Sequence, residues 1–81
     1  MFWFCICPKC YGQGRLVIKR SELNGRLFFN CDECDSSWFN EKDIGDSNSV
    51  FLGHEVPSSF ATENDIQQAG WGKYMKNVYI K

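Results

Sequence analysis

The sequence has few of the features that support catalysis or insertion into a membrane. It contains one histidine and two prolines, and it has no glycine-rich phosphate loop and no nucleophile–base motif. A single histidine leaves little capacity for general base chemistry near neutral pH. The longest apolar run, residues 1–7, is far shorter than the roughly 20 residues of a membrane-spanning helix. We therefore expect a protein that is not an enzyme and does not span a membrane.

The N-terminal segment also lacks the basic region and the small-residue cleavage site of a secretory signal peptide. We therefore expect a cytoplasmic location, where paired cysteines hold metal more often than they form disulfides. The odd total of five cysteines agrees with this expectation. A chain of 81 residues forms one domain at most, and its thin core often needs a staple such as a metal ion.

Two closely spaced cysteine pairs are the most informative feature of the chain. They occur in "CPKC", residues 7–10, and in "CDEC", residues 31–34. Two residues between paired cysteines form a tight turn that aims both sulfurs at one point, as in half of a tetrahedral metal site. Pro8 restricts the first turn, and we expect Gly12 and Gly14 to supply the positive φ that such a knuckle needs. One pair alone could be a redox dithiol, but two pairs favour metal.

The segment between the pairs predicts a β-hairpin. Residues 15–19 and 26–30 are rich in β-branched, aliphatic and aromatic side chains. Asn24 and Gly25 between them form a favoured turn dipeptide, although the whole connection can be longer than two residues.

The order of knuckle, hairpin and knuckle resembles the zinc-ribbon family over residues 5–44. This resemblance implies one structural Zn²⁺, whose ligands would be Cys7, Cys10, Cys31 and Cys34. Four cysteine ligands leave no open coordination position, so the metal would stabilise the fold and take no part in catalysis.

The remaining segments predict a small C-terminal extension. A short turn is expected around residues 41–44, and Thr62 begins a helix that Gly70 ends. Residues 50–56 and 78–80 favour strands. We therefore expect a small, mixed β-rich zinc ribbon over residues 1–44. An extension with one short helix and one or two strands, residues 45–81, would pack on it within a single domain.

Cys5, His54 and Trp38 lie outside the predicted ligand set. Cys5 is expected to be a small buried hydrophobe on the opening strand, with a substitute ligand or redox thiol as the alternative. His54 is given no role, because four thiolates are available to a metal without it. Trp38 is expected in the core, since a thin core needs large side chains.

Charge is distributed unevenly along the chain. Residues 1–29 carry five basic residues and one acidic residue, whereas residues 30–65 carry nine acidic residues and one lysine. A nucleic-acid-binding protein ordinarily needs a basic footprint. The acidic segment instead favours a surface that steers towards a basic partner protein, with a solubilising surface as the alternative. The candidate partner contacts are Asp32, Glu33, Asp35, Glu41, Asp43 and Tyr74.

The chain also resembles, more loosely, the small zinc-ribbon immunity proteins of bacterial contact-dependent inhibition and polymorphic toxin systems. The matching residues are Cys7, Pro8, Cys10, Gly12, Cys31, Asp32, Glu33, Cys34 and Trp38. This resemblance implies neutralisation of a basic toxin, commonly a nuclease domain, by tight binding. One alternative is a structural subunit of an assembly. The other is a nucleic-acid-binding or transcription-associated ribbon that uses Lys9, Arg15, Lys19, Arg20 and Arg26.

Overall fold

A computed structural model describes residues 2–75 together with residues 77 and 78. The strands within these residues are β1 (Phe2–Ile6), β2 (Arg15–Ser21), β3 (Leu27–Cys31), β4 (Ser36–Trp38), β5 (Phe51–Leu52), β6 (Ser58–Phe60) and β7 (Asn77–Val78). The helix is α1 (Glu63–Gln68), and short 3₁₀ turns cover Glu41–Asp43, Gly53–Glu55 and Gly72–Tyr74. No helix in this described part is long and apolar enough to cross a membrane.

The strands form one antiparallel sheet around β2. The strand order is β5-β4-β3-β2-β1-β7, and β6 pairs with β2 beside β1. Trp3 of β1 lies opposite Val17, and Phe60 of β6 lies opposite Lys19, so β1 and β6 share one edge of β2. Strands from residues 45–78 thus pair with strands from residues 1–44, and the division of the chain at residue 44 stays a prediction.

The predicted hairpin is present as β2 and β3; β2 continues two residues beyond the predicted 15–19, and β3 lies one residue later than the predicted 26–30. At the turn end of the hairpin, the N–H of Ser21 donates to the carbonyl of Arg26 at 2.8 Å. Gly25 in the connecting turn has a φ of +75°, a conformation that glycine adopts without steric cost. The hairpin places Leu16 opposite Cys31 at one end and Arg20 opposite Leu27 at the other.

One face of the sheet carries the main core. Its fully buried side chains are Leu16, Ile18, Phe29 and Trp38, together with Ile66 from α1. Trp71 stacks on Phe29 with ring centroids 4.7 Å apart. Tyr74 meets the edge of the same Phe29 ring at 5.4 Å. The structure confirms the expected burial of Trp38, whose indole N–H donates to the carbonyl of Asp46 at 3.2 Å.

The opposite face carries a second, smaller aromatic layer. Phe28 is fully buried and contacts Phe51 at a centroid distance of 5.4 Å, while Phe39 stacks on Phe51 at 4.5 Å. Basic side chains lie over rings on this face. The guanidinium of Arg26 is 4.0 Å from the centroid of Phe39. The ammonium of Lys19 is 5.2 Å from the centroid of Phe60.

The strand predicted over residues 50–56 is much shorter than expected. Only Phe51 and Leu52 pair with β4, and a 3₁₀ turn follows over Gly53–Glu55. A Cβ added to Gly53 would overlap the side-chain nitrogen of Asn30, so the backbone passes so close to the sheet that only glycine fits at this position.

The predicted turn and helix are present with small differences. The 3₁₀ turn is Glu41–Asp43, but the amide of Asn40 donates to the Asp43 carboxylate at 3.2 Å and does not cap the backbone. Thr62 caps α1 as expected: its hydroxyl accepts from the backbone N–H of Asp65 at 3.1 Å. Val78 lies in β7, whereas residues 79 and 80 of the predicted last strand lie outside the described residues.

Candidate metal centre

The hairpin brings the two cysteine pairs together at one end of the sheet. Cys7 follows β1, and its N–H donates to the carbonyl of Gly14 at 2.9 Å. Cys31 ends β3, where the following N–H, that of Asp32, donates to the carbonyl of Arg15 at 3.1 Å. These backbone bonds fix both turns relative to the start of β2.

The geometry of the four sulfurs fits a tetrahedral metal site. The Sγ atoms of Cys7, Cys10, Cys31 and Cys34 all lie within 4.8 Å of one another. The Cys7–Cys34 sulfur distance is 3.8 Å, and the Cys10–Cys31 distance is 3.6 Å. A tetrahedron with metal–sulfur bonds of about 2.3 Å has edges of about 3.8 Å. These distances exclude disulfides, whose sulfurs are about 2.05 Å apart, so the cluster is positioned to bind one ion such as Zn²⁺.

Backbone N–H groups point at the sulfurs of both knuckles. The N–H of Lys9 lies 3.4 Å from the Cys7 sulfur, and the N–H groups of Glu33 and Cys34 each lie 3.4 Å from the Cys31 sulfur. Such donors stabilise thiolate charge and hold each sulfur in the direction of the cluster. The knuckles therefore supply an outer layer of support besides the four candidate ligands.

The structure corrects the role expected of Gly14. Positive φ values occur at Tyr11 (+56°) and Gly12 (+79°) in the first knuckle, and Gly14 does not share them. Gly14 is buried, and a Cβ added to it would lie 2.3 Å from the Cys31 sulfur. Glycine is therefore required there because the backbone passes directly beside a candidate ligand, which spacing rules alone do not reveal.

The thiols of the cluster differ in acidity. Burial raises the pKa of Cys7 and of Cys31. Burial would also raise the pKa of Cys34, but hydrogen bonds with Ser36 and then with Cys31 and Cys7 together outweigh it and lower that pKa to about 7. A metal binds the thiolate forms, so occupation of the site releases the protons that the cluster otherwise holds.

Cys5 stands outside the four-sulfur cluster. It is half-buried and packs against the main core. Its pKa is raised by burial first and by the neighbouring Cys7 second, which keeps the thiol neutral. This partly buried, apolar environment agrees with the expectation that Cys5 acts as a small hydrophobic side chain on the first strand.

The structure divides the candidate partner contacts into separate groups. Asp32, Glu33 and Asp35 line one groove of about 220 Å³, which we call the acidic groove, and Lys19 and Phe60 are among its other lining residues. The Asp32 carboxylate accepts the backbone N–H of Arg15 at 2.8 Å. The acidic groove thus adjoins the second knuckle.

The other candidate contacts lie elsewhere. Glu41 and Tyr74 line a second groove, together with Lys42 and Trp71. Asp43 accepts a hydrogen bond from Asn40 and lines neither groove. The Tyr74 ring is packed among Phe4, Phe29 and Trp71, so much of its surface is already used within the fold. Partner contact by these residues stays a prediction.

A hydrogen-bond network around Asp35 was not predicted from the sequence. The ring nitrogen Nδ1 of His54 lies 2.6 Å from Oδ2 of Asp35, and the backbone N–H of His54 donates to the same oxygen at 2.8 Å. Asn30 donates to Oδ1 at 2.9 Å. Burial tends to raise the pKa of Asp35, but these bonds outweigh it and lower the pKa. His54 therefore ties the 3₁₀ turn at Gly53–Glu55 to the second knuckle.

Only the fold could reveal this network. Asp35 and His54 are 19 residues apart in the chain, and neither belongs to a motif that anticipates the other. The one available signal was the lone histidine itself, and a lone histidine has many possible partners.

Comparison with known proteins adds no family to this description. No protein-family model, no curated protein and no solved structure matches the chain. The metal centre therefore stands on the positions of the four sulfurs and of the backbone donors around them.

Proposed function

We propose that this chain is a non-catalytic zinc-ribbon protein that binds a basic partner protein, and that the partner is a bacterial toxin domain which it neutralises. The observation that carries the proposal is the acidic groove beside the cysteine cluster. Four thiolates and one Zn²⁺ together carry a net negative charge. The zinc centre and the nearby carboxylates would therefore make this end of the molecule negatively charged.

In this proposal the zinc is structural. The four thiolates complete a tetrahedral set and leave no position for a substrate. The metal joins two knuckles that are more than 20 residues apart in the chain, and a domain of this size gains much of its stability from such a link. The protein acts in the cytoplasm, where reduced cysteines remain available to metal.

The acidic groove is suited to basic side chains. The carboxylates of Asp32 and Asp35 are held in place by hydrogen bonds from the protein, so little ordering is needed when a partner binds. Phe60 in the same wall is 49% exposed and offers an apolar surface to the aliphatic part of a lysine or arginine. Carboxylates arranged in this way accelerate encounter with a basic protein.

The basic side chains of the hairpin support nucleic-acid binding less well. Lys19 lies over Phe60 and borders the acidic groove, where carboxylates repel phosphate. Arg15 lies 5.4 Å from the Trp3 ring centroid. Arg20 and Arg26 lie at the other end of the hairpin. The hairpin residues therefore do not form one continuous basic strip of the kind that tracks a phosphate backbone.

The immunity role rests on the resemblance of the knuckle motifs to immunity proteins. An acidic surface complements the phosphate-binding site of a nuclease toxin, because that site is basic for the same electrostatic reason. Neutralisation then requires stoichiometric binding and no chemistry.

The test is co-purification with the product of the adjacent gene, followed by a growth-protection assay. The double charge reversal E33K/E41K changes one exposed acid of the acidic groove and one of the second groove, and it is expected to slow association with the partner by at least about tenfold at low salt. The matched control E22K/E63K changes the same amount of charge at exposed positions of the hairpin turn and of α1. We expect the control to stay within about twofold of the original protein, since rim charges elsewhere contribute little.

Each outcome bears on a different part of the proposal. Equal association rates for E33K/E41K and the original protein would show that the acidic surface is not the interface. Absence of any captured protein, with salt-dependent binding to oligonucleotides in its place, would replace the proposal with the nucleic-acid-binding alternative. Zinc content measured on both variants confirms that each one is folded.

A further inference from the structure

A polar groove lies at the end of the hairpin farthest from the cysteines. It has a volume of about 550 Å³, and its walls include Arg20, Asn24, Arg26, Phe39, Gln68 and Trp71. We call it the arginine groove. Neither the metal centre nor the acidic groove uses any of these six residues.

The groove exists because β4 ends early. Trp38 is the last residue of β4 and pairs with Phe29, so no residue of β4 lies opposite Leu27. The chain turns away at Phe39 and Asn40, and the C-terminal part of α1 forms the facing wall. Side chains from both faces of the sheet can therefore reach the same space. Arg20 comes from the core face and Arg26 from the opposite face.

Arg26 is held in a defined orientation. Its guanidinium lies 4.0 Å from the centroid of Phe39, and Phe39 itself is stacked on Phe51. Stacking occupies the face of a guanidinium and leaves the N–H groups at its edge available for hydrogen bonds. Within the described residues these N–H groups have no hydrogen-bond acceptor: Arg26 donates from its backbone N–H to Asn24 and accepts from Ser21 at its backbone carbonyl, and neither bond involves the guanidinium.

Arg20 is also held in a defined position, but most of its guanidinium N–H groups are not used in hydrogen bonds within the described residues. Its Nε lies 3.8 Å from Oδ1 of Asp65, which is longer than a hydrogen bond. Gly25 leaves room for the guanidinium, since a Cβ there would lie 3.1 Å from Nη2 of Arg20. Asp65 stays charged because hydrogen bonds from Thr62 lower its pKa. The carboxylate therefore orients Arg20 while most of the guanidinium N–H groups remain without an acceptor among the described residues.

We propose that the arginine groove binds a small organic phosphate. Two guanidinium groups with unused N–H donors recognise oxyanions, and their planar forks suit phosphate oxygens. The volume lies within the range of small-molecule sites, about 300–1,000 Å³, and exceeds what inorganic phosphate alone fills. Trp71, which stacks on Phe29 by one face, also lines the groove and supplies a flat wall for the organic part. The inference is independent of the proposed partner protein.

The experiment is an NMR titration of the full chain at constant ionic strength. The probes are adenosine monophosphate, glycerol 3-phosphate, inorganic phosphate and the uncharged nucleoside adenosine. Amide shifts are expected in residues 24–27 and 65–69 with the two organic phosphates, and at least one of these should bind more tightly than inorganic phosphate. Shifts spread over the whole surface, or equal binding of adenosine and adenosine monophosphate, would overturn the proposal.

Two substitutions sharpen the test. R26Q removes a charge that forms no ion pair within the described residues, and it is expected to weaken phosphate binding by at least about tenfold. R20Q is expected to have a similar effect, although it also removes the contact with Asp65. The matched control K42Q removes one exposed positive charge outside the groove and should change affinity by less than twofold. Unchanged binding in R26Q would refute the site.

Discussion

At the scale of single residues, the five cysteines fall into two kinds. Four point their sulfurs at one centre, and Cys5 packs with the core. Replacement of Cys10 or Cys34 by serine is expected to abolish zinc binding, because three thiolates no longer complete the tetrahedral set. The control Cys5→Ser should retain one zinc per chain. Metal analysis of protein purified without added zinc measures both, and zinc loss in Cys5→Ser with retention in Cys34→Ser would show that the ligands are misassigned.

Gly14 offers a second test at this scale, directed at the space around a sulfur. Gly14→Ala places a methyl group where the Cys31 sulfur lies, so the knuckle must shift and zinc affinity is expected to fall at least about tenfold. Gly70→Ala is the matched control. Gly70 has a φ of +74° and no atom within 4 Å of an added Cβ, so that variant should lose about 1 kcal/mol of stability from backbone strain.

Competition with a metal-binding dye compares the two glycine variants. Zinc affinity in Gly70→Ala should match that of the original chain, because the strain lies far from the knuckles. Equal affinities in Gly14→Ala and Gly70→Ala would mean that the second knuckle relaxes freely around the added methyl group.

At the scale of elements, α1 depends on its first residues. The helix has six residues and is too short to be stable alone. Thr62 and Asp65 exchange hydrogen bonds at its start. Thr62→Ala is expected to cost about 1 kcal/mol, the usual effect of removing such a cap, whereas Thr62→Ser retains the hydroxyl and should cost less. Urea unfolding at neutral pH measures both; equal midpoints for alanine and serine would show that the cap contributes nothing.

The elements that the sequence predicted are those with strong local signals. The β2–β3 hairpin has β-forming residues on both sides of Asn24 and Gly25, and α1 has a cap sequence. The strand predicted over residues 50–56 is present only as the two residues of β5, and β6, which was not predicted, has three residues; both strands are too short for an alternating pattern to define them. Their existence depends on partners far along the chain, and no local preference encodes that pairing.

At the scale of the whole molecule, the parts of the site that the sequence predicts depend on local patterns, and the parts that it does not predict depend on contacts between distant residues. The spacing of the cysteine pairs indicated which sulfurs meet, because each knuckle is local and a hairpin joins them. The contact between Gly14 and Cys31, and that between Asp35 and His54, arise from packing across the sheet. Charge along the chain indicated an acidic surface but not its division, since burial and hydrogen bonding decide which carboxylates share a groove.

The shared edge of β2 has a consequence for how the molecule opens. Lys19 of β2 pairs with Phe28 of β3 on one side and with Phe60 of β6 on the other. The backbone of β2 is therefore exposed to solvent here only after both neighbouring strands have separated from it. In hydrogen–deuterium exchange, the amides of β2 between residues 16 and 20 should therefore be the slowest of the described residues and report global unfolding. The amides of β5, a two-residue strand at the sheet edge, should exchange orders of magnitude sooner. Exchange at similar rates in the two strands would mean that the sheet opens as a single cooperative unit, with no stable centre.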